Sequence, residues 1–251
     1  MVIFRFLLLI FFSFSFLYSE VVEARYKIAY GIFGEIGYAN ATFKKSNDEY
    51  MIKIDAKATK IAKILSKNRE EEYMSRGIVV DGILRPKIYK KIRKNSYKKI
   101  IKTYKFDHEK KIIEVFIERY KNNRLVSKNS ERLKYYAKDD ILTLYFNLKK
   151  YLNERKEDSL IFFAVGGNKE DGKVDVRLPK DKELKRLKSL FHNEDGLYID
   201  VVIHQKIFAS KEGRLHIVID QKLGVAKRAI LEDVIFFGDI VAKLDRLNYE
   251  D

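Results

Sequence analysis

The sequence predicts a mainly β protein in which one curved antiparallel sheet carries one main helix across its concave face. Apolar and polar residues alternate with a period of two through much of the chain, turn residues separate these segments at short intervals, and long helical segments are few. Short connections favour hairpins over the long crossovers that parallel strands require. A sheet of about a dozen strands also tends to curl upon itself.

The strands are predicted from this alternation. In residues 51–58, Ile52 and Ile54 share one face with Ala56 and Ala58, which is typical of a half-buried strand. Turn residues such as 122–123, 171–172, 195–196 and 212–213 bound the other strands. The same alternation places three further sets on single faces: Ile113, Val115 and Ile117; Leu197, Ile199, Val201 and Ile203; and Leu215, Ile217 and Ile219.

Three segments have helical spacing instead. Asp139 and Asp140 can cap a helix over residues 141–152, the main helix of the prediction. A weaker helix follows Pro179, and residues 59–65 can form one or two helical turns. The main helix carries its apolar stripe at Ile141, Leu144, Tyr145, Leu148 and Leu152.

The N-terminus has the three parts of a secretory signal. Arg5 precedes an apolar run over residues 6–19, and Val22 and Ala24 form a small-residue cleavage site. The alternative is an uncleaved anchor, but the run is shorter than the roughly 20 residues that a spanning helix needs. We expect cleavage after Ala24 and a soluble periplasmic protein, with residues 1–24 as signal peptide.

Residues 25–251 are expected to form a single β-rich domain. The sequence has two prolines and no linker rich in Pro or Ser, so a hinge has little support. The charged stretch 149–158 is the best candidate boundary between two halves of the sheet. Because there is no Cys, a lipoprotein anchor, disulfides and thiolate catalysis are excluded.

No motif for catalysis, metal or cofactor binding is found. His204 and His216 fall in successive predicted strands on the polar parity and could be neighbours, but without an H-E-x-x-H motif they are predicted to be exposed structural residues. Ser75 lacks a G-x-S-x-G motif, and the Gly166-Gly167 step lacks the residues of a phosphate loop. We expect a non-enzymatic protein, and a hydrolase without a recognisable motif is the remaining catalytic alternative.

Positive charge is the strongest functional signal. Loss of residues 1–24 would remove one Arg and two Glu, leaving 50 basic and 34 acidic residues and a net charge of +16. Ten basic and no acidic residues lie between Arg85 and Lys105. An exported protein rarely meets nucleic acid, so anionic lipid or an acidic envelope polymer is the expected partner. The alternative is a compositional bias toward Lys. The candidate contacts are Arg85, Lys87, Lys90, Lys91, Arg93, Lys94, Lys98, Lys99 and Lys102.

The apolar strand faces predict a ligand cavity. A curled sheet of this size has more inward positions than one helix covers, which would suit an acyl chain. Parity does not decide whether the inward residues face a ligand or the core helix. These residues are Ile52, Ile54, Val115, Ile117, Ile199, Val201, Ile217 and Ile219.

Several short motifs in this order resemble the exported proteins of domain-of-unknown-function family 3108. They are Gly34 to Gly37, Tyr50, Tyr73 to Gly77, Gly82 to Pro86 with Tyr89, Asp139-Asp140-Ile-Leu, and Gly238 to Leu244. The resemblance implies an open, half-closed β-barrel similar to periplasmic lipoprotein carriers and lipocalin-like binders. It implies no catalytic residues.

The expected function is therefore a periplasmic binding protein of unknown specificity that holds a lipidic or amphiphilic cell-envelope component. The alternative is a non-catalytic envelope adaptor or structural protein that contacts protein or peptidoglycan. An apolar lumen favours the first hypothesis, whereas a filled core with an exposed apolar patch favours the second.

Overall fold

A computed structural model describes residues 19–154, 157–204, 213–234 and 238–250. Residues 1–18 of the expected signal peptide therefore lie outside the described residues. Residues 19–24 form the first half of a strand.

The described chain contains fifteen strands, three α-helices and one 3-10 turn at Gly31–Phe33. The helices are α1 Lys60–Leu65, α2 Ile141–Glu154 and α3 Asp181–Leu190. The strands are β1 Ser19–Tyr30, β2 Glu35–Ser46, β3 Glu49–Ala58, β4 Glu70–Val80, β5 Ile83–Lys94, β6 Lys98–Asp107, β7 Ile112–Lys121, β8 Arg124–Arg132, β9 Asp139–Asp140, β10 Ser159–Val165, β11 Lys173–Arg177, β12 Leu197–Val202, β13 Arg214–Ile219, β14 Ala226–Val234 and β15 Gly238–Glu250.

The described structure has fifteen strands, whereas sequence periodicity predicted about a dozen. Strand β8 is almost wholly exposed and polar, so it has no apolar alternation to detect. Strand β9 has two residues, too few for any period. The three expected helices are all present.

All fifteen strands belong to one open sheet. Its order is β8-β7-β6-β5-β4-β3-β2-β1-β15-β14-β13-β12-β11-β10-β9, so two meanders meet where β1 pairs with β15. Pairing is antiparallel except between β9 and β10. The sheet curls strongly, since β4 and the edge strand β9 are far apart in the strand order and yet lie in contact. The Ser75 hydroxyl of β4 donates a 2.6 Å hydrogen bond to Asp140 of β9. The fold is therefore a half-closed barrel.

Helix α2 lies inside the curl and packs against both halves of the sheet. Leu142 and Phe146 pack with the first-half core around Tyr50 and Ile52. Leu144 and Leu148 pack with the second-half core formed by β10 to β13. The helix begins where the backbone N–H groups of Leu142 and Thr143 donate to one carboxylate oxygen of Asp140, as expected for a capping residue.

Helix α3 packs on the opposite, convex face. Leu187 and Phe191 are fully buried against Tyr198, Val218 and Ile230. The second half of the sheet is therefore covered on both faces.

In the part of the chain that the structure describes, no helix has the length and apolar character needed to cross a membrane.

Candidate ligand-binding cavities

The inner face of the half-barrel holds a cavity of about 560 Å³, here named the basic cavity. Its cationic lining comes from Lys91 and Arg93 of β5, Lys102 of β6 and Lys169 of the β10–β11 loop. One carboxylate, Glu131, lies among them. The remaining lining is aromatic and apolar, including Tyr73, Tyr89, Tyr104, Tyr135, Ile100, Val115, Leu133 and Ile203. This combination suits an anionic group attached to an apolar body.

Lys91 is the cation most affected by its surroundings. Burial lowers its pKa, and the nearby Glu71 charge partly opposes that shift. Its ammonium group lies 4.8 Å from the centre of the Tyr73 ring, at the distance of a cation–π contact. An anion in the cavity would restore the electrostatic stabilisation that burial removes.

A buried acidic group divides the interior next to this cavity. The Glu71 side chain accepts hydrogen bonds from Tyr73, Arg69 and Arg93, with a distance of 2.9 Å from Arg93 Nε to Glu71 Oε1. Burial raises the pKa of Glu71, but the hydrogen bonds from Tyr73 and Arg69 and the charge of Arg93 outweigh burial and lower it. Glu71 is therefore ionised at neutral pH and fixes the orientation of both arginines.

A second cavity of about 430 Å³, here named the apolar cavity, lies beyond Glu71. Glu71 lines it, and the partner of Glu71, Arg93, lines the basic cavity, so the two cavities meet at this ion pair. The apolar cavity exists because small residues occupy inward positions on paired strands, as with Ala229 opposite Ala242. Its other apolar lining is Ile28, Ile36, Gly37, Ala56, Ala58, Ala62, Leu215, Leu231 and Ile240.

The expected cavity residues are divided between cavity and core. Val115 lines the basic cavity, and Ile117 pairs with Lys102 at its edge. Ile52 and Ile54 belong to the first-half core. The other four pack beneath α2 in the second-half core: Ile199, Val201, Ile217 and Ile219.

The expected basic contacts are divided between two faces of the sheet. Lys91, Arg93 and Lys102 point inward to the basic cavity. Strand alternation turns Lys90 and Lys94 to the outside, where Lys94 pairs with Glu70. The remaining candidates lie outside the basic cavity as well: Arg85, Lys87, Lys98 and Lys99.

Comparison with known proteins identifies the family. Residues 25–245 match the model of the family described as a protein of unknown function, DUF3108. The chain belongs to this family. No curated protein sequence matches the chain. A similar solved structure is the beta-barrel-like protein of domain of unknown function DUF1849 from Brucella abortus, which is 12% identical and covers 93% of this chain and 98% of its own, with a TM-score of 0.41.

Three of the motifs that carry the resemblance to DUF3108 converge in the fold, namely those that contain Tyr50, Ser75 and Asp140. The hydroxyl oxygens of Tyr50 and Ser75 are 3.1 Å apart, and Ser75 donates to the Asp140 carboxylate. Burial raises the pKa of Asp140 to about 7, although hydrogen bonds from Ser75 and the α2 backbone oppose that shift. Since Ser75 is fully buried and bonded to a helix cap, these residues hold α2 against β4.

The glycine step Gly166-Gly167 forms part of the β10–β11 hairpin connection. A side chain at Gly166 would lie 3.2 Å from Ile141 Cγ2 and 3.4 Å from the Tyr89 hydroxyl, and its φ of 98° disfavours any other residue. The Asn168 side chain accepts from three following backbone N–H groups. This ordered loop brings Lys169 to the basic cavity.

The prediction that His216 is exposed is wrong. Its side chain is fully buried, with Nδ1 3.2 Å from Asp200 and Nε2 2.9 Å from Glu232, which also pairs with Arg186 of α3. Parity identified the face correctly, but α3 covers that face. His204 is exposed and pairs with Asp175, so the two histidines do not form a pair. Among the described residues, no group of three or more His, Cys, Asp or Glu side chains could hold a metal ion.

Proposed function

We propose that the protein is an exported, non-enzymatic binding protein that holds an amphiphilic cell-envelope component inside the half-barrel. One observation carries this proposal: a cavity lined by Ala, Ile and Leu meets a cavity lined by three Lys and one Arg at the Arg93–Glu71 ion pair. The apolar chain of the ligand would occupy the apolar cavity, and its anionic group would contact Lys91 and Lys102.

The size and chemistry of both cavities support a lipidic ligand. Volumes of about 430 and 560 Å³ fall within the range of small-molecule sites. Burying an acyl chain contributes about 0.8 kcal/mol per methylene group. The basic cavity adds selectivity, because an anionic group placed there meets Lys91, which burial has already stripped of part of its water.

The test is native mass spectrometry of the exported protein, followed by organic extraction of whatever accompanies it. We expect one amphiphile at a near one-to-one ratio. Ala242→Phe, which fills the apolar cavity, should lose most of this ligand, whereas Ala29→Phe on the other face of the neighbouring strand should retain it. A ligand-free mass that takes up no anionic lipid on titration would instead favour the envelope adaptor.

A further inference from the structure

One rim of the half-barrel carries exposed apolar side chains among basic ones. Because consecutive strands of the first meander are antiparallel, the connections that follow β1, β3, β5 and β7 emerge at the same rim. Ile32 after β1 is 84% exposed, Ile64 in α1 is 77% exposed, and Tyr97 after β5 is 57% exposed. Such side chains at the tips of connections gain nothing from the protein's own core.

Hydrogen bonds join these connections into one surface. The Thr59 N–H donates to the Ile36 carbonyl over 2.8 Å, which links α1 to the β1–β2 connection. The Ser96 N–H donates to the Lys67 carbonyl over 2.9 Å. The Asn122 N–H donates to the Tyr97 carbonyl over 2.9 Å, which adds the β7–β8 turn. We name this surface, residues 31–36, 59–69, 94–99 and 121–124, the lysine rim.

The charge of the lysine rim is almost uniform. Its segments 59–69, 94–99 and 121–124 contain nine basic residues and no acidic one, and 31–36 contains only Glu35. Arg69 and Lys94 pair with acidic residues of β4. The other seven basic residues are Lys60, Lys63, Lys67, Lys98, Lys99, Lys121 and Arg124.

Both cavities reach this rim. Ile36, Ala62 and Arg69 belong to the lysine rim and also line the apolar cavity. The basic cavity is lined by Arg93, which directly precedes the rim residue Lys94. A ligand that leaves the apolar cavity past Ala62 therefore emerges beside the exposed Ile64 and its flanking lysines.

We infer that the lysine rim docks on the surface of a bilayer that contains anionic phospholipid. This inference rests on the proposed function and assigns the surface through which the ligand would pass. Isolated apolar side chains among lysines suit the interfacial layer of a bilayer, where Ile and Phe enter the acyl boundary and Lys contacts phosphate. A protein partner would be expected to meet a continuous apolar patch with fewer charges.

The experiment is co-sedimentation of the full exported chain with vesicles of phosphatidylcholine alone or mixed with phosphatidylglycerol. We expect binding to the anionic vesicles only, and weaker binding as salt is added. Lys60→Glu, Lys63→Glu and Lys67→Glu together should weaken binding at least about tenfold, as should Ile32→Ser with Ile64→Ser. The matched controls lie away from the rim: Lys110→Glu, Lys111→Glu and Lys222→Glu for charge, and Ile161→Ser with Phe163→Ser for exposed apolar residues.

Titration with a monomeric short-chain phosphatidylglycerol in solution separates the two proposals. Rim variants that lose vesicle binding but keep this titration support the lysine rim as the docking surface. Equal binding to neutral and anionic vesicles, no binding to either, or rim variants that bind vesicles like the controls would overturn it, whether or not the cavity binds the monomer. A wild-type chain that sediments with vesicles but never binds the monomer would instead contradict the proposed function.

Discussion

Asp140 illustrates how one residue links stability to pH. Its carboxyl is fully buried, caps α2 and has a pKa raised from 3.8 to about 7 by burial. Because the folded state holds this proton more tightly than the unfolded chain, its effect favours folding below the unfolded pKa, and stability decreases as pH rises toward the folded value.

The wild-type free energy of unfolding should therefore decrease as the pH is raised from about 5 to about 8. We expect this decrease to be smaller in Asp140→Asn, by up to about 3 kcal/mol. The amide keeps an oxygen for the α2 backbone and cannot ionise. Urea unfolding at both pH values measures the difference, and Ser75→Ala serves as a control that retains the titrating carboxyl. Equal pH dependence in wild type and Asp140→Asn would show that Asp140 is ionised in the folded protein.

Single residues mark the limit of what the sequence could predict about the site. Lys91 and Arg93 were among the predicted basic contacts, but strand alternation alone does not show which basic residues of this segment face the inside of the curled sheet. Ala56 and Ala58 were on the predicted inward face, yet only the paired strands reveal that small residues coincide to leave a cavity. The role of Ser75 was not predictable, because its partner Asp140 is 65 residues away.

At the scale of elements, local patterns predicted most of the fold. The capping residue Asp140 and the apolar stripe from Ile141 to Leu152 predicted α2. Alternation of apolar and polar residues predicted the apolar strands. The burial of His216 was missed because α3 covers a face that alternation alone marks as solvent-exposed. Contacts between elements that are distant in the chain are not encoded in local periodicity.

The His216 network holds three strands and α3 together. Burial lowers the pKa of His216, but the adjacent carboxylates of Asp200 and Glu232 outweigh it and raise the pKa above its ordinary value. Its stabilising effect is therefore complete below the unfolded pKa of 6.5 and is lost as pH rises through the folded pKa.

We expect NMR titration of the wild-type protein to give a raised pKa for His216. Asp200→Asn should lower that pKa and destabilise the protein by roughly 3 kcal/mol. Glu183→Gln, on the first turn of α3, is the control, and a His216 that titrates at or below its ordinary pKa would refute the network.

Strand β1 bears on where the expected signal peptide would be cleaved. Val22 and Ala24 are each 6% exposed in the first-half core, and residues 21–24 pair with both β2 and β15. Cleavage after Ala24, the site predicted from the sequence, would remove these contacts, so the strand pairing predicts an alternative cut at or before Ser19. The intact mass of the exported protein measures this directly.

Chains 20–251 and 25–251, made without a leader, provide the stability comparison. The shorter chain should lose at least about 3 kcal/mol, because Val22 leaves the core and the paired strand is halved. An exported mass that begins at Arg25, together with equal stability of the two chains, would return the cleavage site to Ala24.

At the scale of the whole molecule, the proposed ligand would stabilise the fold, because both cavities form only when the sheet is curled. A ligand that binds the folded state alone adds about 2.7 kcal/mol at a free concentration of 100 times its Kd, and the melting temperature rises with it. We expect this rise with an anionic amphiphile. Ala242→Phe should melt near the wild-type temperature and show little rise, since its side chain occupies the space of the ligand.

The same melting experiment can separate the contribution of the cations in the basic cavity from that of the ligand's apolar chain. Lys91→Gln with Lys102→Gln should reduce the rise for an anionic amphiphile and leave it unchanged for a nonionic one with the same chain. Lys90→Gln with Lys105→Gln removes equal charge from the outer face and should behave as wild type. If both pairs reduce the rise equally, the attraction comes from the net charge of the protein, and Lys91 and Lys102 do not recognise the anionic group.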